Sequence, residues 1–325
     1  MMATISQIVS SSHPVYLRPF DARRDLLPVA DLVELCFSEH LDPDGRRYLN
    51  QLRATASQAN LPGWAVAAVS RLNTPMDGYV WEQDGRVVGN LSLIPFPRAG
   101  RRIELIANVA VHPDYRRRGI ARALTLTAIR KIQGRGNATI WLQVRADNPA
   151  AVSLYEQLGF HEQARRTTWV MEPHHLKNQP VAGAQVGIRK RGHWEAHKRW
   201  LQSAYPLHLR WYLPLRTAVM QPGLAGFLIR FFNDRQLRHW SAWQGADLLG
   251  VLTWQSSHSY ADRLWLAVDP QQAEIAISAL MGKLSRQRAL RRTVTLDYPA
   301  GEAVTSLTAA GFSAQHTLIW MDLQT

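Results

Sequence analysis

Four segments in the first half of this chain recur in its second half, in the same order and at nearly constant offset. Residues 81–93, a strand–turn–strand pattern with Asp84-Gly85 as its turn signal, match residues 242–254. Val109-Ala-Val-His-Pro113 matches Leu266-Ala-Val-Asp-Pro270, and residues 151–160 match 303–312, each ending in Gly-Phe. Thr167 to Glu172 is echoed by Thr317 to Asp322. Ordered self-similarity on this scale implies two copies of one fold, and 325 residues hold two domains comfortably. Turn formers without periodicity between residues 172 and 187 place the boundary there, giving domains 1–178 and 179–325. Hydrophobic residues make up 46% of the chain, enough for a core in each copy.

Local signals give the first copy its outline. Strands are expected at 15–18, 78–82, 87–94, 103–111, 139–144 and 167–172, with loops near 73–78 and 95–100. Helices are expected at 25–37, 46–59 and 120–133, the last with Leu124, Ala128 and Ile132 on one face and Gly134 as its stop. Asn148 reads as an N-cap, with Pro149 in the first turn and Gly159 just past the helix end.

The stretch from Asn108 to Arg122 carries the clearest chemistry. An apolar strand ends in a turn, and Arg116, Arg117, Arg118 and Gly119 open the helix of Ile120, Ala121 and Arg122. Unpaired N–H groups and the helix dipole make such a start an anion site. A glycine there lets phosphates approach the backbone closely. The bland alternative is a solvated turn.

That stretch, followed by Asn148-Pro-Ala-Ala-Val-Ser-Leu-Tyr-Glu-Gln-Leu-Gly-Phe160, resembles the GNAT superfamily of acetyl-CoA-dependent N-acetyltransferases, with Arg116-x-x-Gly119-x-Ala121 as the acyl-CoA signature. The resemblance covers about residues 15–172. It implies an α/β (α+β) fold class, two GNAT folds in tandem, each a mixed, mostly antiparallel twisted sheet flanked by helices. It also implies acetyl-CoA as co-substrate and a primary amine as acceptor, attacked directly in a ternary complex. Residues 116–122 would cradle the pyrophosphate. Val109, Ala110 and Val111 match the strand that splays from its neighbour, pairs with the pantetheine arm and turns one N–H to the thioester carbonyl. Asn148 would touch the pantetheine arm, and Tyr155 would protonate the departing thiolate; the alternatives are a simple cap and a packed aromatic.

Residues 140–148 are similar to the bacterial ribosomal-protein N-terminal alanine acetyltransferases, where a glutamate base stands at the position of Gln143. An amide cannot take a proton. Glu104 is the substitute expected here, about where other GNAT members place a glutamate base, with His112 as a further option. The layout also resembles mycothiol synthase, where the second copy is the active one. Here the second copy has Gln271-Gln-Ala-Glu-Ile-Ala276 for the cradle, Ala300 for Asn148 and Leu307 for Tyr155, so it should fold without binding acyl-CoA.

Net charge is +13, and residues 189–240 hold ten Lys/Arg against two acids. A solvated basic face and a surface for an acidic partner, RNA or the ribosome, both fit. An alternative class is therefore an acetyl-CoA-sensing interaction protein that docks through its basic second domain. One cysteine, Cys36, excludes a disulfide framework and cysteine-rich zinc sites, and its apolar helical setting predicts a buried thiol. No metal is expected. The N-terminus lacks a signal-peptide pattern and no run of about 18 apolar residues occurs, so a cytoplasmic protein with no membrane partner is expected.

Overall fold

The computed structural model describes residues 15–57, 77–98, 101–136, 138–173, 183–223, 236–286 and 292–324. The chain divides into two compact units: residues 1–143, 150–161 and 321–325 in one, and 144–149 and 162–320 in the other. The sequence boundary at 178 and this division are therefore not the same line.

The first unit holds β1 (Val15–Pro19), α1 (Ala22–Phe37), α2 (Pro43–Ser57), β2 (Asp77–Gln83), β3 (Arg86–Arg98), β4 (Arg101–Val111), α3 (Ile120–Gly134), β5 (Ala138–Arg145, as far as Gln143) and α4 (Pro149–Gln157, from Ala150). Strands β1 to β4 pair antiparallel in sequence order, and β4 pairs parallel with β5. Asp21 starts α1, its carboxylate accepting from Arg23 N–H at 2.9 Å, while Asp25 reaches back to Asp21 N–H at 2.8 Å. Leu26, Val29, Ala30, Val33, Leu49 and Leu52 of α1 and α2 then bury against Val80 and Ala110 of the sheet. Helix α3 covers the opposite face. A Cβ on Gly89 would lie 2.8 Å from Ile120 Cγ2, so only glycine lets the helix settle this close.

Differences from the sequence reading are local. Residues 95–98 continue β3 instead of forming a loop, pairing with β4 as Pro95↔Glu104. Gly134 is the last helical residue of α3, and Gly136, at φ +67, makes the left-handed exit expected of Gly134. The loop near 73–78 lies outside the described residues as far as residue 76. Cys36 is half-buried, not buried, its Sγ 3.3 Å from Val111 O, and partial burial pushes its thiol up from the usual value.

The second unit contains β7 (Gln185–Ile188), α5 (Trp194–Ala204), α6 (Thr217–Met220), β8 (Leu237–Gln244), β9 (Asp247–Gln255), β10 (Asp262–Val268), α7 (Ala273–Arg286), β11 (Val294–Pro299), α8 (Val304–Ala309) and β12 (Ser313–Leu323, as far as Trp320). It follows the plan of the first: antiparallel β7 to β10, then β11 parallel to β10. Gly250 repeats the role of Gly89, its missing Cβ leaving room for Ala276 of α7. Helices α4 and α8 end alike, with Phe160 N–H on Tyr155 O and Phe312 N–H on Leu307 O, both at 3.0 Å.

Strand β6 (His161–Met171) starts six residues before the expected 167. From Glu162 onward it belongs to the second unit, where Arg166 to Met171 pair antiparallel with Pro299 to Val294. Arg166 explains much of this placement. Its buried guanidinium pairs with Asp297, donates to Ala204 O at 2.8 Å and lies 5.0 Å over the Tyr205 ring. Removing one partner of a buried ion pair strands the other, so Arg166→Ala should cost about 3–5 kcal/mol. Denaturant unfolding measures this; a loss under 1 kcal/mol would show that Asp297 is reached by water.

Candidate functional site

Helix α3 begins without a side-chain cap. Gly119 occupies its N-cap position at φ +79, no acid stands in the first turn, and a Cβ at Gly119 would meet nothing within 4 Å among the described residues. Two turns of backbone precede it. Arg117 is left-handed at φ +63, Arg116 Nε donates to Val111 O at 3.2 Å and Arg118 Nη2 to Asp114 O at 3.0 Å. Arg118 also lies 5.0 Å over the Tyr115 ring. Arg116, Arg117, Arg118, Gly119 and Arg122 are exposed, Ala121 is half-buried, and Ile120 is buried as the anchor on Gly89. The result is an open, cationic helix start whose N–H groups carry no side-chain cap, which suits a pyrophosphate.

Strand β4 leads into this cradle and is irregular just before it. Asn90 pairs with Ala110 but Ser92 pairs with Ala107, so β4 has an extra residue, and Asn108 takes φ +51. The parallel pairing with β5 runs from Arg102↔Ala138 to Ile106↔Leu142. Val109, Ala110 and Val111 lie beyond its last pair, held on the β3 side by Ala110↔Asn90 and Val111↔Gly89. Gln143 follows directly on Leu142, and its buried Nε2 has no hydrogen-bond partner among the described residues. His112 closes the strand, its N–H on Val88 O at 2.9 Å and its Nδ1 accepting from Asp114 N–H at 3.4 Å.

The bulge carries a hydrogen-bonded group that motif reading missed. Asn90 Nδ2 donates to Asn108 O at 2.9 Å, and Asn108 Nδ2 donates to the Tyr48 hydroxyl at 3.0 Å. Burial pushes the Tyr48 phenol up to about 12, against the Asn108 hydrogen bond that favours ionisation, so Tyr48 stays neutral. An Asn within an apolar strand was the available signal, because Asn tolerates the left-handed region.

Glu104 is 1% exposed and faces the α3 side of the sheet. Its Oε1 lies 2.6 Å from Arg102 Nη2 and 3.7 Å from Arg135 Nη1, beside the Asp77–Lys131 pair. Oε1 has no hydrogen-bond partner among the described residues, so the arginines hold it by charge. Burial raises the Glu104 carboxyl above its usual value, and the two arginines offset part of that. Arg135 caps the C-terminal end of α3, so Glu104 and Gly119 sit at opposite ends of the helix, about 22 Å of rise apart.

Tyr155 lies on α4 in the first unit, 6% exposed, its ring edge-on to Phe160 at 6.0 Å. Burial pushes its phenol up, so it keeps its proton. Asn148, immediately before α4, belongs to the segment 144–149 of the second unit, its N–H on Arg145 O at 3.1 Å.

The second unit lacks the cradle. Strand β10 pairs with β9 from Arg263↔Gln255 to Val268↔Gly250 with no register shift, and α7 starts with exposed Glu274 in its first turn. Part of its basic excess is structural: Arg189 Nη2 donates to Met220 O at 2.6 Å and Arg210 Nε to Tyr205 O at 2.7 Å. Lys190, Arg191, Lys198, Arg199, Arg216 and Arg238 face solvent. Among the described residues no group of His, Cys, Asp or Glu is placed to hold a metal ion, and no helix is long and apolar enough to cross a membrane.

Comparison with known proteins agrees with this geometry. Residues 33–160 match the model of the acetyltransferase (GNAT) family. The segment that carries the cradle and Tyr155 thus belongs to that family. Over 62 residues it is 52% identical to the ribosomal protein bS18 alanine N-acetyltransferase of Escherichia coli K12, 19% of this chain and 42% of that protein. Over 87 residues it is 34% identical to a mycothiol acetyltransferase of Streptomyces coelicolor, 26% of this chain and 27% of that protein. The chain thus spans less than half the length of the curated relatives it matches. A GCN5-related N-acetyltransferase from Sphaerobacter thermophilus shares the fold over 95% of both chains, with TM-score 0.53 and 14% identity.

Proposed function

We propose that this protein transfers the acetyl group of acetyl-CoA to a primary amine, and that the first unit alone binds the thioester. The observation that carries this reading is the uncapped start of α3 behind Arg116 to Arg118, continuous with a strand that has left its neighbour. Residues 116–122 hold the pyrophosphate, and Val109–Val111, beyond the last pair with β5, take the pantetheine arm. The amine nitrogen attacks the thioester carbonyl carbon, the carbon–sulfur bond breaks, and the thiolate takes the proton of Tyr155. The amine loses its own proton to Glu104 through water.

A base must be ionised to act, so activity falls as pH drops through the Glu104 pKa. Because burial raises that pKa, the acidic limb should lie above the ordinary glutamate range of about 4.3. Glu104→Gln should lower kcat/KM at neutral pH and flatten that limb, with acetyl-CoA as donor and a panel of amines and N-terminal alanine peptides as acceptors. A normal pH profile in the variant would place the base elsewhere and leave Glu104 as the partner of Arg102 and Arg135. The same panel separates a small-molecule acceptor from a protein N-terminus.

A further inference from the structure

The peptide group joining Asn108 to Val109 is fixed by a side chain that the reaction above does not use. Asn108 stands in the bulge of β4 at φ +51, where its carbonyl accepts from Asn90 Nδ2 at 2.9 Å. Asn90 is 1% exposed and its Nδ2 also lies 3.4 Å from Ser92 Oγ, so the amide is held in one orientation. Across a trans peptide the C=O and N–H point in opposite directions. Tethering Asn108 O to Asn90 therefore turns Val109 N–H away from Asn90. Left-handed backbone is unfavourable for residues with a Cβ, which makes a tether from a neighbouring strand useful. Asn108 Nδ2 anchors the same residue from its other end, on the Tyr48 hydroxyl at 3.0 Å and Ser92 Oγ at 3.5 Å.

The second unit provides an internal comparison. Ala110↔Asn90 and Val111↔Gly89 in the first unit correspond to Ala267↔Val251 and Val268↔Gly250 in the second. There Val251 stands for Asn90 and Trp265 for Asn108, both buried, and the ladder runs without a shift. The unit that has lost the phosphate cradle has also lost the bulge and both asparagines together.

We propose that Asn90 is a positioning residue: by holding the carbonyl of Asn108, it aims Val109 N–H at the thioester carbonyl oxygen of acetyl-CoA. This rests on the acetyltransferase reading. Preorganised donors of this kind act on the oxyanion that forms during attack, and losing one outright costs about 100- to 1000-fold in kcat. A misdirected donor keeps part of its effect, so about 10- to 100-fold is expected for Asn90.

The test uses Asn90→Asp, nearly isosteric but repelling Asn108 O, and Asn90→Ser, too short to reach it. Both variants are assayed for kcat and KM, and calorimetry compares their affinities for acetyl-CoA and CoA. The expected result is a fall in kcat, CoA affinity within about twofold of wild type, and loss of any preference for the thioester over the free thiol. A parallel loss of CoA affinity would overturn the proposal, because a general disturbance of the site weakens both ligands. Unchanged kcat and unchanged thioester preference would overturn it too. If the wild-type protein transfers no acetyl group, the acetyltransferase reading fails, and the acetyl-CoA to CoA affinity ratio in the variants still decides the role of Asn90. If Asn90→Asp fails to fold, Asn90→Ser decides alone.

Discussion

Gly119→Glu should abolish acetyl-CoA binding, and wild-type protein should bind one acetyl-CoA per chain. The substitution converts the first unit's helix start into that of the second, where Glu274 occupies the first turn of α7. A carboxylate about 4 Å from a phosphate costs about 1–4 kcal/mol at the screening expected near a surface. That corresponds to about 5- to 1000-fold in affinity, and loss of close backbone approach adds to it. Arg116 and Arg118 keep donors beyond their bonds to backbone carbonyls and offset part of the new charge, but an arginine drawn to the new carboxylate is withdrawn from the phosphates. Any side chain at φ +79 is also strained, by roughly 1–2 kcal/mol. Gly119→Asn separates the two effects, because Asn tolerates left-handed backbone without adding charge. It should retain most of the binding that Gly119→Glu loses. Calorimetry giving two equal sites per chain would overturn the assignment of the cradle to the first unit alone.

The parts of this molecule that could be read from its sequence are those set by residues close in the chain. The helix after Gly119 rests on a glycine, a run of cations and an apolar stripe, all within one segment. The Asp84-Gly85 turn of the β2–β3 hairpin is the same kind of feature, and both residues do take positive φ. The repeat was legible because both copies keep the residues that pack the core, Gly89 and Gly250 among them. Pairings between distant strands were not. Nothing around Arg166 announces that its partners are Asp297 and Ala204, more than a hundred and nearly forty residues away. The bulge at Asn108 is equally non-local, since the donor that holds its carbonyl is on β3. Residue type and strand position point to Glu104; that Arg102 and Arg135 enclose it depends on where α3 ends.

Tyr155→Phe should leave acetyl-CoA affinity nearly unchanged while lowering kcat by about 100-fold or more, the range for loss of a general acid. The hydroxyl is proposed to act only as the carbon–sulfur bond breaks, so its absence is felt in the transition state and not in the ground state. Phenylalanine keeps the ring, so the edge contact with Phe160 and the packing of α4 survive, and a change in stability should be small. Burial already keeps the phenol protonated at neutral pH, so in the proposed role it has a proton to give as the thiolate leaves. The second unit offers the contrast: Leu307 fills the equivalent helix position, buried, with the same hydrogen bond from Phe312 N–H to its carbonyl. The fold therefore needs an apolar body at this position and has no use for the hydroxyl. Rapid-quench measurement of acetyl transfer at saturating acetyl-CoA isolates the chemical step. If that step runs at the wild-type rate in Tyr155→Phe, the ring is there for packing and the thiolate takes its proton from water.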